Sequence, residues 1–424
     1  MATWHCPVCG LVFSFHSELD WHIRESHCLR RTAGLAGQLE REAVLSWAGL
    51  RRLQEAEKGP AVSLLLWTTP APVMTPNDAD ELHHLAANAA KTLANEVKGE
   101  ALKHMQMRLT EAVLAAESSP TDHGLAVFVS QAETAVVPLP FAPRERAVVN
   151  HSFATRDLLD ALQRFPMYRA LVLRGPGFRL LEGRAGRISE VRDWQVPNPS
   201  LGRVRQSAWT TRQRRRAAFL AADRAVGERV AVLGRLPLVL VGRAHLVSEF
   251  MKHSPHAASV VGDVTAWGSM HSKDSLARLT APVIQAWRED HAARYLKALV
   301  EADRCRTVVW GLPEVWEAVR SGKVERLWVE RDYCVPAQLA EGGKRLVVVD
   351  RLEAPGVVPD GVGFTIERAT LSGAHVEIVA HLGDDDDHRI AAQLKAPLGE
   401  AGQDPAQEGA LANGVRGAAQ QAVA

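Results

Sequence analysis

Gly202-Arg203-Val204-Arg205-Gln206-Ser207-Ala208 stands just ahead of Thr211-Arg212-Gln213-Arg214-Arg215-Arg216, and the rest of the chain is organised around this stretch. It holds six arginines (203, 205, 212, 214, 215 and 216) and no acidic residue, in a chain of 424 residues whose formal net charge is only +1. From Thr211 to Leu233 the residues Ala217, Ala218, Phe219, Ala222, Ala225, Val226 and Val230 recur near helical spacing, which predicts one long helix. Cations in the first turn of a helix oppose its macrodipole, at a cost of a few tenths of a kcal/mol each. Such a placement points to an anionic partner, so Arg203, Arg205, Arg212, Arg214, Arg215 and Arg216 are candidate phosphate contacts. The competing reading is a solvated arginine cluster on a linker.

Outward from there, 46% hydrophobic and 23% charged residues describe an ordinary soluble globular protein. At about 150 residues per domain the length suits roughly three domains. A near-neutral chain does not coat nucleic acid indiscriminately, but it leaves room for a focused basic site. The apolar runs 62–67 and 237–241 fall far short of the roughly 18 residues that span a bilayer, so no membrane partner is expected. Cysteine and histidine chemistry within the first ten residues does not read as a secretory leader. Five cysteines, two of them closely paired, fit a metal site in a reducing compartment, and the expected location is the cytoplasm.

The first residues carry that metal site. Cys6 and Cys9, then Phe13, Leu19, His22 and His27, have the spacing of a ββα finger, in which a knuckle supplies two thiolates and a helix two imidazoles to a tetrahedral Zn²⁺. The ion is structural: in so small a segment its binding drives folding. Cys28 is a possible competing ligand. By resemblance to classical fingers, the base-reading positions fall on Phe15, Glu18 and Trp21, none of which pairs bidentately with a purine. Arg24, Arg30 and Arg31 are balanced by Glu18, Asp20 and Glu25. The exposed aromatics suit a protein partner or stacking on RNA better than reading of DNA.

The fold class read from these patterns is mixed α/β and multidomain. A zinc finger (1–31) and a connecting segment (32–60) precede three α/β segments (61–149, 150–270 and 271–394), and a disordered tail follows (395–424). The connector is read as an amphipathic helix over 36–58 with Leu39, Ala43, Trp47, Leu50 and Leu53 on one stripe. Strands are expected at 62–67, 125–130, 135–139, 168–173, 179–181, 238–241, 306–310, 325–329, 345–349, 375–380 and 389–394. Helices are expected from Thr75 or Asn77, and at 99–117, 155–165, 211–233, 244–252, 282–300, 314–320 and 361–372. His83, His84 and His104 lie on helices without a companion ligand and read as surface or packing residues. The acidic run 384–387 reads as a solvated turn rather than a divalent-cation site. Searches for a P-loop, a dinucleotide fingerprint, a nucleophile elbow and His-Glu-x-x-His find nothing; Gly342-Gly343-Lys344 continues into Arg345.

The loop, the arginine-rich helix after it, the strand Leu238 to Gly242 and the helix Ala244 to Lys252 follow an order that resembles the archaeal and eukaryotic class-one peptide release factors and their bacterial, Balon- and Pelota-like, branch. Those proteins carry Gly-Arg-Gly-Gly-Gln-Ser-Ala where this chain has Gly202 to Ala208. Gly322-Lys323-Val324-Glu325-Arg326-Leu327-Trp328-Val329 resembles their third domain, a kink-turn-RNA-binding fold, and 61–149 matches by position as a divergent first domain. The resemblance, over roughly 150–394, implies a body that occupies the ribosomal A site with its basic loop on ribosomal RNA, and contact with a translational GTPase through the third domain.

One departure shapes that expectation. Glycine tolerates a positive φ and lets backbone approach an ester closely, whereas Val204 is β-branched and Arg205 puts a long cation there. Gln206 alone remains of the hydrolytic motif, and a misplacement of about 1 Å costs about 10²-fold in rate. The codon-reading Asn-Ile-Lys-Ser tetrapeptide is absent as well. The expected function is therefore a non-hydrolytic ribosome-binding factor of hibernation, stress or rescue. The alternatives are a peptidyl-tRNA hydrolase or tRNA-cleaving quality-control enzyme using Gln206, since one eukaryotic hydrolase of that kind joins a similar finger to an altered loop, and a zinc-finger nucleic-acid-binding regulator.

Overall fold

A computed structural model describes residues 4–5, 12–13, 45–55, 59–175, 177–195, 211–265, 272–350, 357–383 and 386–396. The chain divides into two compact units, Met1–Phe153 and Ala154–Ala424. The mixed α/β, multidomain class read from the sequence is what they display.

In the first unit, β1 (Trp4–His5) pairs antiparallel with β2 (Val12–Phe13), with Trp4 opposite Phe13 and His5 opposite Val12. Cys6, Cys9, His22, His27, Phe15, Glu18 and Trp21 lie outside the described residues, as does 32–44 of the connector. Helix α1 (Trp47–Glu55) buries Gly49, Leu50, Leu53 and Gln54, a stripe centred about 90° around the helix from Trp47 at 3.6 residues per turn. Trp47, expected on the buried stripe, is therefore 55% exposed.

The body of this unit is an antiparallel sheet covered on one face by two helices. Strands β3 (Ala61–Trp67), β4 (Gly124–Ser130), β5 (Thr134–Leu139) and β6 (Arg146–Asn150) run in the order β5-β4-β3-β6. Helix α2 (Pro76–Glu96) starts where Thr75 Oγ1 accepts the Asp78 amide at 3.3 Å, with Pro76 in the first turn where no N–H is needed. Gly99, at φ 70°, lets the chain turn into α3 (Glu100–Glu117). Leu82, Ala89 and Leu93 of α2 and Met105, Leu109 and Val113 of α3 close over Val62, Leu64, Leu66, Leu125 and Val127.

The second unit opens with α4 (Arg156–Arg164) and a five-stranded sheet. Strands β7 (Tyr168–Arg174), β8 (Gly177–Arg184) and β9 (Arg187–Gln195) form an antiparallel meander. Helix α5 (Thr211–Leu233) leads to β10 (Leu238–Gly242), which lies parallel to β7, and α6 (Ala244–His253) leads to β11 (Val260–Val264), parallel to β10; the order is β11-β10-β7-β8-β9. Both faces are covered, which is why Ala170 to Leu173 of β7 and Leu238 to Val241 of β10 read as apolar runs rather than alternations. Leu171, Leu173, Phe178, Leu180 and Leu240 meet α5 and α6 on one face. Tyr168, Ala170, Val172, Leu181 and Val241 meet α7 on the other.

Helix α7 (Lys273–Arg304) begins nine residues earlier than Pro282 suggested. Ser272 caps it by accepting the Ser275 amide at 3.1 Å, and Pro282 sits inside the helix rather than at its start. Leu276 and Ile284 pack on the five-stranded sheet, whereas Leu296, Leu299 and Ala302 pack on the next one. That next sheet contains β12 (Val308–Trp310), β13 (Val324–Glu330), β17 (His375–Val379) and β18 (Ile390–Leu394) in the order β12-β18-β13-β17. Helices α8 (Leu312–Arg320) and α9 (Gly361–Leu371) accompany it, and β14 (Ala337–Ala340), β15 (Arg345–Val348) and β16 (Val357–Val358) form a small antiparallel sheet. Helix α4 docks here: Gln163 Nε2 donates to Val376 O at 2.6 Å and its Oε1 accepts the Ile378 amide at 2.9 Å, occupying the free edge of β17.

Candidate nucleic-acid interface

Helix α5 is anchored at its C-terminal end and loses burial toward its N-terminal end. Its buried stripe is Ala218, Ala222, Ala225 and Val226, mostly small side chains that let the helix lie close on β8. Twenty-three helical residues span about 34 Å at 1.5 Å each. The seven residues of β7 span only about 23 Å. The excess of about 11 Å equals roughly seven residues. Full burial starts at Ala218, and Arg212 to Ala217 before it are exposed or half-buried.

The anchor is a buried ionic cluster at the opposite end. Arg169 and Glu182 are 1% and 3% exposed. Arg169 Nε donates to Glu182 Oε1 at 3.1 Å, and Arg229 of α5 donates from Nε to Oε1 at 3.0 Å and from Nη2 to Oε2 at 2.6 Å. Arg169 also caps the helix, with Nη1 donating to Gly234 O at 3.1 Å and Nη2 to Arg229 O at 2.8 Å. Burial holds the Arg169 pKa below its ordinary value, while Glu182 acts in the opposite sense. The C-terminal end of the helix is thus tied to β7 and β8.

At the free end, Arg212, Arg215 and Arg216 are exposed and Arg214 is half-buried. The first turn contains no acidic residue. Among the described residues none of these four arginines has a carboxylate partner, and Arg214 Nε is buried without a hydrogen bond. The contrast with the neighbouring sheet is sharp: Arg179 pairs with Glu190 at 2.5 Å, Arg192 with Glu228 at 3.0 Å and Arg174 with Asp193 at 3.6 Å. Guanidiniums without a carboxylate partner among the described residues suit the planar, forked recognition of phosphate oxygens. Arg203, Arg205 and Gln206 lie outside the described residues, between the end of β9 at Gln195 and the start of α5.

With this geometry in hand, residues 167–323 match the family model described as bacterial archaeo-eukaryotic release factor family 3. The matched stretch runs from the start of β7 to the start of β13 and includes both the arginine helix and its anchor. That stretch is release-factor-like. No curated protein matches the chain. Solved structures align over most of its length at low identity. They include the archaeal translation termination factor aRF1, 16% identical over 83% of this chain and 98% of that one, with a TM-score of 0.23. Archaeal Pelota, from a model of ribosome-bound Pelota and ABCE1, is 12% identical over 83% of this chain and 94% of its own, with a TM-score of 0.38. S. cerevisiae Dom34, described as a translation termination-like factor, is 11% identical over 66% and 75% respectively, with a TM-score of 0.38.

His83 is exposed and lies 2.6 Å from Glu117 Oε1, while His84 and His104 are exposed on α2 and α3. Among the described residues no group of three or more His, Cys, Asp or Glu could hold a metal ion. Among them, too, no helix is long and apolar enough to cross a membrane. Sequence reasoning missed the Arg169, Glu182 and Arg229 cluster. Its one local signal was a charge next to an apolar run in each of two strands, Arg169 before Ala170 to Leu173 and Glu182 after Leu180 and Leu181.

Proposed function

We propose that this protein is a release-factor-like, ribosome-binding translation factor that occupies the A site without hydrolysing peptidyl-tRNA and acts in hibernation, stress or rescue. The observation that carries the reading is the N-terminal end of α5, with four arginines that lack carboxylate partners among the described residues, inside the stretch matched by the release-factor family model. Ribosomal RNA is the partner whose chemistry suits it, a dense array of phosphates met by rigid guanidinium forks. Val204 and Arg205, where the resemblance expects glycines, support binding without ester hydrolysis, since both bring side chains to a point where bare backbone is needed. Under this reading the last sheet region contacts a translational GTPase. The N-terminal Cys6, Cys9, His22 and His27 hold a structural Zn²⁺, and the finger built on it meets RNA or protein.

The test is co-sedimentation of the zinc-loaded protein with empty 70S ribosomes across a salt series. Binding should weaken with salt, and changing Arg214, Arg215 and Arg216 together to Ala should reduce the salt slope by about two to three, as expected for that many lost phosphate contacts. Gln206→Ala should leave binding unchanged. Absence of binding to empty and to stalled ribosomes would refute the reading; loss of peptidyl-tRNA cleavage in Gln206→Ala would replace it with the hydrolytic one.

A further inference from the structure

A second surface in the Ala154–Ala424 unit has the chemistry of a nucleic-acid site, and the reading above does not use it. Along α7, Trp287, His291 and Tyr295 are spaced four residues apart and so form one stripe. Their ring centroids lie 5.2 Å (Trp287 to His291) and 4.7 Å (His291 to Tyr295) apart. The row continues onto the neighbouring sheet, where His375 at the start of β17 stacks on Tyr295 at 5.2 Å with the ring planes only 13° apart. Trp287, His291 and Tyr295 are half-buried and His375 is exposed. Ile284, seven residues before His291 and so on the same side of the helix, is buried on the five-stranded sheet, and Leu296 and Leu299 are buried on the next, so the row runs between two packed aliphatic stretches.

Guanidiniums flank the row. At the Trp287 end, Arg331 Nε and Arg164 Nη1 each take one oxygen of the buried Asp160, at 3.0 and 3.1 Å, which uses both oxygens of that carboxylate. Arg288 is within electrostatic reach of both arginines and donates from Nη1 to Gln285 Oε1 at 3.0 Å. Its pKa is held down first by burial and then by Arg164, so a third cation is kept in a place that already has two. At the other end Arg294 is 61% exposed. Of the nearby acids, Asp290 pairs with Arg294 at 3.4 Å and Glu289 accepts from Gln285 at 2.5 Å, while Glu377 lies 3.6 Å from His375 Nε2.

We propose that the face of α7 bearing Trp287, Arg288, His291 and Tyr295, extended by His375, binds single-stranded RNA, with bases stacked on the rings and phosphates held by Arg288, Arg164 and Arg331. Interleaved aromatic faces and basic side chains are the recurrent means of holding an unpaired strand. A duplex keeps its base faces inside the stack and could not use the rings. A phosphorylated peptide would use the arginines but leave the aromatic row idle.

The proposal stands apart from A-site binding, because it is tested without ribosomes and in a chain whose α5 arginines 214, 215 and 216 are already Ala. A fluorescent single-stranded RNA decamer should bind this chain, measured by anisotropy, more tightly than a perfect hairpin of the same length or a phosphoserine peptide. Adding Trp287→Ala with His291→Ala should weaken the decamer about tenfold or more, in line with losses per stacked base elsewhere. Arg288→Ala should lower the salt slope by about one. A decamer carrying 4-thiouridine, crosslinked to the protein with α7 unaltered, should attach to peptides that include Trp287 to Tyr295; this arm does not depend on the variants folding. No decamer binding, unchanged affinity in the folded double variant, preference for the hairpin or the phosphopeptide, or crosslinks only elsewhere would each overturn the proposal.

Discussion

Glu182→Gln should release the arginine helix from its sheet. The carboxylate is 3% exposed and accepts three N–H donors from Arg169 and Arg229. Glutamine offers one carbonyl oxygen and a donor NH₂, and that NH₂ would face guanidinium N–H groups with nothing to accept it. Arg169 is 1% exposed and would stay beside a neutral group. Breaking a buried ion pair from one side costs about 3–5 kcal/mol. Arg229 is 19% exposed and can turn partly to water, which favours the lower end, about 3 kcal/mol. Because Arg169 also holds the carbonyls of Arg229 and Gly234, the loss falls on the C-terminal turns of α5. Hydrogen–deuterium exchange read on peptides from 218–234 should show protection reduced by about 10²-fold, the equivalent of about 3 kcal/mol. Replacing the whole cluster by apolar residues (Arg169→Met, Glu182→Leu, Arg229→Met) should recover most of that protection, since it leaves no stranded charge. Wild-type protection in folded Glu182→Gln would refute the claim that this cluster anchors the helix.

Three further outcomes follow from other contacts. Gly183→Ala should destabilise the second unit by about 1–3 kcal/mol in urea denaturation, the usual cost of overpacking: its Cβ would lie 2.6 Å from Tyr168 Cζ, and the buried Tyr168 ring is held by its hydroxyl 2.8 Å from Thr280 Oγ1. Burial holds the His291 pKa below its ordinary 6.5, with Glu377 opposing and Arg294 and His375 reinforcing the shift. The unfolded chain therefore takes up that proton first; stability should be full above the ordinary value, fall as pH drops toward the lower folded value and then level, and His291→Gln should flatten this part of a urea-midpoint series. Purified protein should contain about one zinc per chain by atomic absorption, as a single four-ligand site requires, and Cys9→Ala should remove it while leaving the melting of the second unit unchanged.

Elements whose pattern is self-sufficient were legible from the chain alone. Helix α5 spans Thr211–Leu233, the span its apolar spacing indicates, and the apolar runs of β3, β7 and β10 came within about one residue of their ends. The strands that escaped notice are held by partners rather than by their own pattern. Arg187–Gln195 is largely polar because it is the edge of its sheet, and Arg146–Asn150 is half-buried throughout. Helix α7 was read short because a proline marks a helix start more often than it sits inside one.

For function, the sequence by itself determined the density of arginine ahead of α5, the degenerate loop around Gln206 and the zinc-ligand spacing, since each is a matter of residue type at short range. Only the tertiary structure decided that α5 is tied down at its C-terminal end and less buried at its arginine end, because that follows from where full burial begins at Ala218 and from a cluster joining Glu182 to residues 13 and 47 positions away. Likewise Tyr295 and His375 meet only when α7 crosses the start of β17. Neighbours on one helix or strand are set by its period, and partners across elements by packing, which no local pattern contains.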